Sequence, residues 1–270
     1  MKLYYREVGE TGTPLLILHG LFGSSDNWLS ISKPLAAQGY RVILPDQRNH
    51  GQSPRSDDFD YTSMAADIRE LIDDLGLVRP MLVGHSMGGK TMMQYAMNYP
   101  ADTFSKLVVV DIAPKFYPVH HGEILRGLGA IDLTTLKGRS EADAVLADYE
   151  PSTTVRQFLL KNLYRDEPQP GAGPQFNWRL NLPVIEREIH AVGEELTSPH
   201  PVTAPTLFIR GSRSPYITDA DIPAIQRLFP NAQVATIDGA GHWLHAEKPA
   251  EFVAVLTAFL ADTPPAGNPA

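Results

Sequence analysis

The stretch from Met81 to Tyr99 constrains the fold more than any other part of the chain. A short apolar run, Met81-Leu82-Val83, leads into Gly84-His85-Ser86-Met87-Gly88, and a helix-like segment, Gly89 to Tyr99, leads out. This predicts a strand, a sharp turn with one serine at its apex, and a helix. Glycines two before and two after the serine let such a turn close tightly. In that setting the N–H of Met87 and the helix N-terminus point at the space where a negative oxygen would form during acyl transfer. A glycine-rich turn carrying a merely solvated serine is the plainer alternative, and the rest of the chain decides between the two.

Short β-rich runs recur along the chain at Leu15 to Leu18, Arg41 to Leu44, Met81 to Val83, Leu107 to Val110, Thr206 to Ile209 and Val234 to Ile237. Helical patterns separate them, Asn27 to Ala37 and Ser63 to Leu75 among them, the latter stopped by Gly76. Such alternation implies an α/β fold, a mostly parallel sheet with helices on both faces. The charged side of the second helix, Asp67, Arg69, Glu70, Asp73 and Asp74, is expected to be a solvated face.

The alternation lapses after Ala113-Pro114 and resumes near Ala204-Pro205. Helix-like segments fill the interval at Glu123 to Leu128, Ala142 to Leu146, Val155 to Leu163 and Pro183 to Val192. An insertion placed after a strand's carboxyl end is expected to cap a site at that edge of the sheet. The division expected is a core of residues 1–114 and 204–262, a helical cap of 115–203 and a flexible tail of 263–270.

Composition narrows the chemistry. Without cysteine there is no disulfide, thiol nucleophile or thiolate metal site. The net charge of −8 is spread without an acidic or basic block, so nucleic acid is not an expected partner. Arg6, Glu7 and Glu10 interrupt the start, and no apolar run approaches the roughly 20 residues that span a bilayer. The expectation is a soluble cytoplasmic protein, and nothing in the sequence bears on its oligomeric state.

A nucleophilic serine needs a base, an acid to orient it and donors for the oxyanion. In doubly wound serine hydrolases these follow in the chain order serine, acid, histidine. Of the nine histidines, His242 is best placed, in the loop Asp238-Gly239-Ala240-Gly241-His242 after the last strand. His245 is its rival but lacks glycines directly before it. His120 and His121 adjoin each other, yet neighbours in sequence seldom converge on one ion, and neither a metal nor a cofactor is expected.

The acid commonly follows the strand after the cap, where Gly211-Ser212-Arg213-Ser214-Pro215-Tyr216 offers Ser214 instead of a carboxylate. Asp111, at the end of the strand after the elbow helix, is the preferred acid. Asp219 and Asp221 read better as the first turn of a helix. For the oxyanion, the loop His19-Gly20-Leu21-Phe22-Gly23 is expected to supply the amide of Leu21, with Phe22 next in line, opposite that of Met87.

Together these segments resemble the α/β-hydrolase superfamily and, more narrowly, the YbfF-type esterases, over nearly the whole chain. The resemblance is carried by His19 to Ser24 with Asp26-Asn27, Asp46-Gln47-Arg48-Asn49-His50-Gly51-Gln52-Ser53, Gly84 to Lys90 and Val110-Asp111-Ile112-Ala113-Pro114. In the second half it is carried by Phe158 to Leu163, Trp178 to Leu182, Ser214-Pro215-Tyr216 and Gly241 to Pro249. It implies an acid shifted to Asp111 and a serine at the vacated position, Ser214, assisting the histidine. It also implies hydrolysis of carboxylic esters, and of acyl thioesters, of short to medium chain. Asp46, Arg48, Gly51 and Ser53 look like a structural turn, with Arg48 bridging backbone and carboxylate groups.

Phe116, Tyr117, Phe158, Leu159, Phe176 and Trp178 are expected to line an acyl pocket, with Arg179 facing an anionic group, although packing of cap on core explains most of them equally well. A cofactor-free haloperoxidase or perhydrolase and a carbon–carbon bond hydrolase share the same three residues. A low-turnover ligand receptor is the alternative of a different class. A dehalogenase or epoxide hydrolase would need a carboxylate at position 86.

Overall fold

In a computed structural model, residues 1–166 and 175–261 are described. The chain opens with β1 (Tyr5–Val8) and β2 (Thr13–Leu18), then α1 (Leu29–Ala36), β3 (Tyr40–Pro45), α2 (Tyr61–Asp74), β4 (Met81–His85), α3 (Met87–Asn98) and β5 (Lys106–Val110). Next come α4 (Gly122–Ala130), α5 (Arg139–Leu146), α6 (Thr153–Leu159), β6 (Leu163–Arg165), β7 (Phe176–Trp178), α7 (Leu182–Arg187) and α8 (Ile189–Gly193). The chain then returns through β8 (Thr206–Gly211), α9 (Ile222–Leu228), β9 (Ala232–Ile237), α10 (Leu244–Glu247) and α11 (Pro249–Ala261).

Seven strands form one sheet in the order β1-β3-β2-β4-β5-β8-β9. Only β1 runs antiparallel, against β3, and the other pairings are parallel. The six apolar runs read from the sequence are the six parallel strands. Each run is continuous because both faces of the sheet are covered. Leu16, Leu18, Leu82, Leu107, Val109 and Phe208 face the layer of α2 and α3. Their neighbours Leu15, Ile17, Val83, Val108, Val110 and Ile209 face α1 and α11, where Trp28, Ile31, Phe252 and Leu256 pack.

Local chemistry sets the ends of the helices. Asp60 caps α2 by accepting from the Ser63 amide at 2.8 Å, and Gly76 terminates it with φ +58°. One expectation for this helix fails: Asp67 is buried, not solvated. Arg48 grips it with two bonds, from Nε at 2.7 Å and Nη2 at 2.9 Å, and also donates to the carbonyls of Asp58 and Ser63. The buried carboxylate is tolerated because a bidentate cation meets it.

Between β5 and β8 the chain forms the helical cap, α4 to α8, with β6 and β7 paired as an antiparallel ribbon. The ribbon departs from the helix expected over Val155 to Leu163: α6 stops at Leu159, a 3₁₀ turn follows at Leu160–Asn162, and the chain extends at Leu163. The helix expected over Pro183 to Val192 is divided at Glu188 into α7 and α8.

The cap is tied where it leaves and re-enters the core. The Tyr117 amide donates to Gly193 O and the Leu196 amide to Pro114 O, both at 2.8 Å. Lys90, fully buried on α3, donates from Nζ to Lys115 O at 3.0 Å and to Glu194 O, so one side chain holds both connectors. Burial lowers its pKa to about 8. The tail of 263–270 lies outside the described residues.

Candidate active site

Ser86 stands between β4 and α3 with φ +53° and ψ −122°, a conformation unfavourable for a residue bearing a side chain. Close packing holds it there. A Cβ on Gly84 would lie 2.2 Å from Gly88 O, and one on Gly88 would lie 2.5 Å from His19 O, so neither glycine tolerates a side chain. The Ser86 amide donates to Val110 O at 3.0 Å, which fastens the turn to the neighbouring strand. Phe22 (φ +60°) and Asp111 (φ +52°) share this unusual backbone region, so three of the strained residues gather around one point.

His242 lies in the loop after β9. Its Nε2 is 3.1 Å from Ser86 Oγ and its Nδ1 is 2.7 Å from Asp111 Oδ2. The loop is fixed from three sides: His85 Nε2 donates to His242 O at 2.9 Å, the Gly241 amide donates to Glu247, and the Arg213 amide donates to Ala240 O. Tyr216 lies flat against the imidazole, with ring centroids 4.1 Å apart and planes 20° from parallel.

Asp111 is fully buried at the end of β5. Its Oδ1 accepts from the Gly211 amide at 3.2 Å, and Oδ2 accepts from both His242 and the Ser214 hydroxyl. With Nδ1–H donated to this carboxylate, Nε2 is left to accept the proton of Ser86. Asp219 and Asp221, the alternatives for the acid, instead pair with Arg210 and Lys115.

His245, the rival base, is buried and stacks on Trp28 at 4.3 Å. Burial, helped by the charge of His242, lowers its pKa to about 3. His85 is likewise pushed well below the ordinary histidine value, first by burial and then by neighbouring histidines. Neither competes for the serine proton.

Among the described residues, no hydrogen bond engages the amides of Leu21 and Met87, and both residues border the cavity beside Ser86. Phe22 is a correction. Its amide donates to His50 Nε2 at 3.2 Å, so it does not point at the serine. Burial and the nearby His19 lower the His50 pKa to about 3, which keeps that nitrogen's lone pair available. Phe22 O in turn accepts from Asn162 of the cap at 2.7 Å, a contact that sequence reasoning did not assign.

Two cavities meet at Ser86. A groove of about 1350 Å³ contains His242 and is walled by Trp28, Ile124, Phe158 and Trp243. A pocket of about 30 Å³ adjoins it, lined by core residues and the end of the cap, and shares Leu21, Ser86, His120, His121 and Tyr216 with the groove. Tyr117 lines the pocket, while Phe158 and Leu159 line the groove. The other expected lining residues lie on neither. Phe116 is 60% exposed, Phe176 and Trp178 are buried in the ribbon, and the Arg179 guanidinium rests over the Tyr164 ring. The ribbon turns Phe176 and Trp178 together into packing, which an aromatic count cannot reveal. Tyr216, Trp243 and Asn162 are the functional candidates that were missed, although each lies in a segment carrying the resemblance.

A model of the alpha/beta hydrolase fold matches residues 13–148. The mouse protein named "sn-1-specific diacylglycerol lipase ABHD11" is 39% identical over 261 residues, covering 94% of this chain and 83% of that protein. "Esterase YbfF" of Escherichia coli is 35% identical, covering 93% and 94% of the two chains. A solved structure titled "Marine microorganism esterase" superposes with a TM-score of 0.90 at 43% identity, covering 96% of this chain and 99% of that one. The sheet order, the turn that carries Ser86 and these matches lead to one assignment: the chain belongs to the α/β-hydrolase family.

Proposed function

We propose that this protein hydrolyses carboxylic esters, acyl thioesters included, of short to medium acyl chain through an acyl-enzyme formed on Ser86. The observation that carries the reading is the unbroken relay from Ser86 Oγ through His242 to buried Asp111, beside two unengaged amides. The names of the relatives, esterase and lipase, support it.

Ser86 Oγ attacks the ester carbonyl as His242 Nε2 takes its proton. The carbonyl oxygen becomes negative and is met by the amides of Leu21 and Met87. Asp111 holds the tautomer and stabilises the imidazolium without itself taking a proton. When the C–O bond breaks, His242 returns the proton to the departing alkoxide, and Ser86 keeps the acyl group. Water then attacks that acyl group, giving its proton to His242, and the carboxylic acid leaves as Ser86 is restored.

Ser86→Ala removes the nucleophile and should lower kcat on nitrophenyl esters by roughly 10⁴-fold or more. Mass spectrometry of a quenched reaction should find the acyl group on the wild-type chain alone. Unchanged turnover in the variant would reject the reading.

A further inference from the structure

The two cavities differ in their relation to the imidazole. His242 lines the groove and is absent from the wall of the small pocket, whereas Met87, owner of one free amide, lines the pocket alone, with Ile112 and Tyr117, and Leu21, owner of the other, stands where the two cavities join. A tetrahedral intermediate on Ser86 has three further substituents to place. The negative oxygen belongs at the two amides, and the leaving oxygen must lie within hydrogen-bond reach of His242 Nε2 to receive its proton. The leaving group therefore extends into the groove. The remaining substituent, the acyl chain, is directed to the pocket beside the amides.

We propose that the small pocket is the acyl site and favours the short end of the acyl range, while the groove accepts a bulky apolar alcohol or thiol. This inference rests on the acyl-enzyme reading of Ser86. The preference comes from the contrast in room, about 30 Å³ in the pocket against about 1350 Å³ in the groove.

The pocket is also braced against widening. Tyr61 OH donates to Val192 O at 2.7 Å and Tyr117 OH donates to Tyr216 O at 2.6 Å. The Ala113 amide donates to the Tyr117 oxygen at 2.9 Å. Lys90 Nζ lies 4.9 Å from the Tyr117 ring and 5.7 Å from that of Tyr61. Opening the back wall would break buried hydrogen bonds on both sides. The groove has no such limit, and its mouth carries Asp26, Glu150 and Lys161 over an apolar interior.

Two ester series measured on the full chain test the partition: nitrophenyl acetate, butyrate, hexanoate and octanoate, and acetates of ethanol, butanol, octanol and 2-naphthol. A methylene that a closed pocket rejects changes kcat/KM by about 10- to 200-fold. We expect a fall of about 100-fold or more between butyrate and octanoate, with acetates of the larger alcohols turned over at least as well as ethyl acetate. Ile189→Ala and Val192→Ala, which shorten two cap side chains lining the pocket, should move the acyl cutoff toward hexanoate.

Octanoate turned over as well as butyrate, with the bulky acetates rejected, would put the acyl chain in the groove and overturn the proposal. So would an unchanged acyl profile in both variants, each shown to be folded. Inactivity on every ester, together with failure of a fluorophosphonate probe to label Ser86, would overturn the underlying acyl-enzyme reading and the partition with it.

Discussion

Replacing Asp111 with asparagine is the sharpest test of how the imidazole is driven. The substitution keeps shape and volume but removes a charge that lies 2.7 Å from His242 Nδ1 and is fully sealed from solvent. During attack the imidazole becomes a cation. At an effective dielectric of about 20, opposite unit charges at that separation attract by about 6 kcal/mol. At 1.36 kcal/mol per decade, losing that attraction in the transition state alone corresponds to about four decades of rate. The tautomer argument acts in the same direction: an amide NH₂ facing Nδ1 favours the proton on Nε2, where it blocks transfer from Ser86. Steady-state kcat/KM on nitrophenyl acetate, with circular dichroism to establish the fold, should show a loss of about 10⁴-fold for Asp111→Asn. Asp219→Asn removes a carboxylate that is 85% exposed and bonded to Arg210, and should change the rate little. A loss below tenfold for Asp111→Asn, or an equal loss for Asp219→Asn, would refute the reasoning.

Other expectations concern the supports of the site. Ser214→Ala takes one donor from Asp111 Oδ2 and should lower kcat about tenfold with little change in KM, with Ser214→Thr restoring most of it; a KM effect alone would assign Ser214 to substrate contact. His50 and His245 have pKa values of about 3 in the fold, below the ordinary value near 6.5, so the unfolded chain binds more protons between those limits. Their contribution is intact above pH 6.5 and is lost as pH falls, by roughly 4 kcal/mol for the pair between pH 7 and 5. Urea melts at the two pH values should show this loss, and His245→Phe should remove about half of it. Lys90→Met leaves Lys115 O and Glu194 O without their donor, so hydrogen exchange should quicken at the Tyr117 and Leu196 amides; unaltered exchange there would mean the connectors hold without it.

What could be read in advance follows from the range of the interactions. The parallel strands were legible because each is an unbroken apolar run flanked by helical spacing. The turn at Ser86 was legible because Gly84 and Gly88 are demanded by backbone contacts within the same few residues. The antiparallel edge strand β1 was not legible: Tyr5-Arg6-Glu7-Val8 is partly exposed, has no apolar run and gains its conformation from β3 alone. Asp67 reads as a solvated residue until Arg48, nineteen positions earlier in the chain, is seen against it. The same holds for the Phe22 amide, whose partner His50 is fixed by loops that carry no local signature. Which cap side chains reach a cavity depends on the direction of a three-residue ribbon, and no period can be read over so short a length.

Asp111 and Ser214 follow adjoining strands, and the Ser214 hydroxyl donates to the same Asp111 oxygen that serves His242. The negative charge has two neighbouring seats around one imidazole. An exchange of the pair, Asp111→Ser with Ser214→Asp, would move that charge sideways by one strand while leaving the nucleophile and base untouched. Carrying both acids at once would crowd two carboxylates together and force one to hold a proton near neutrality.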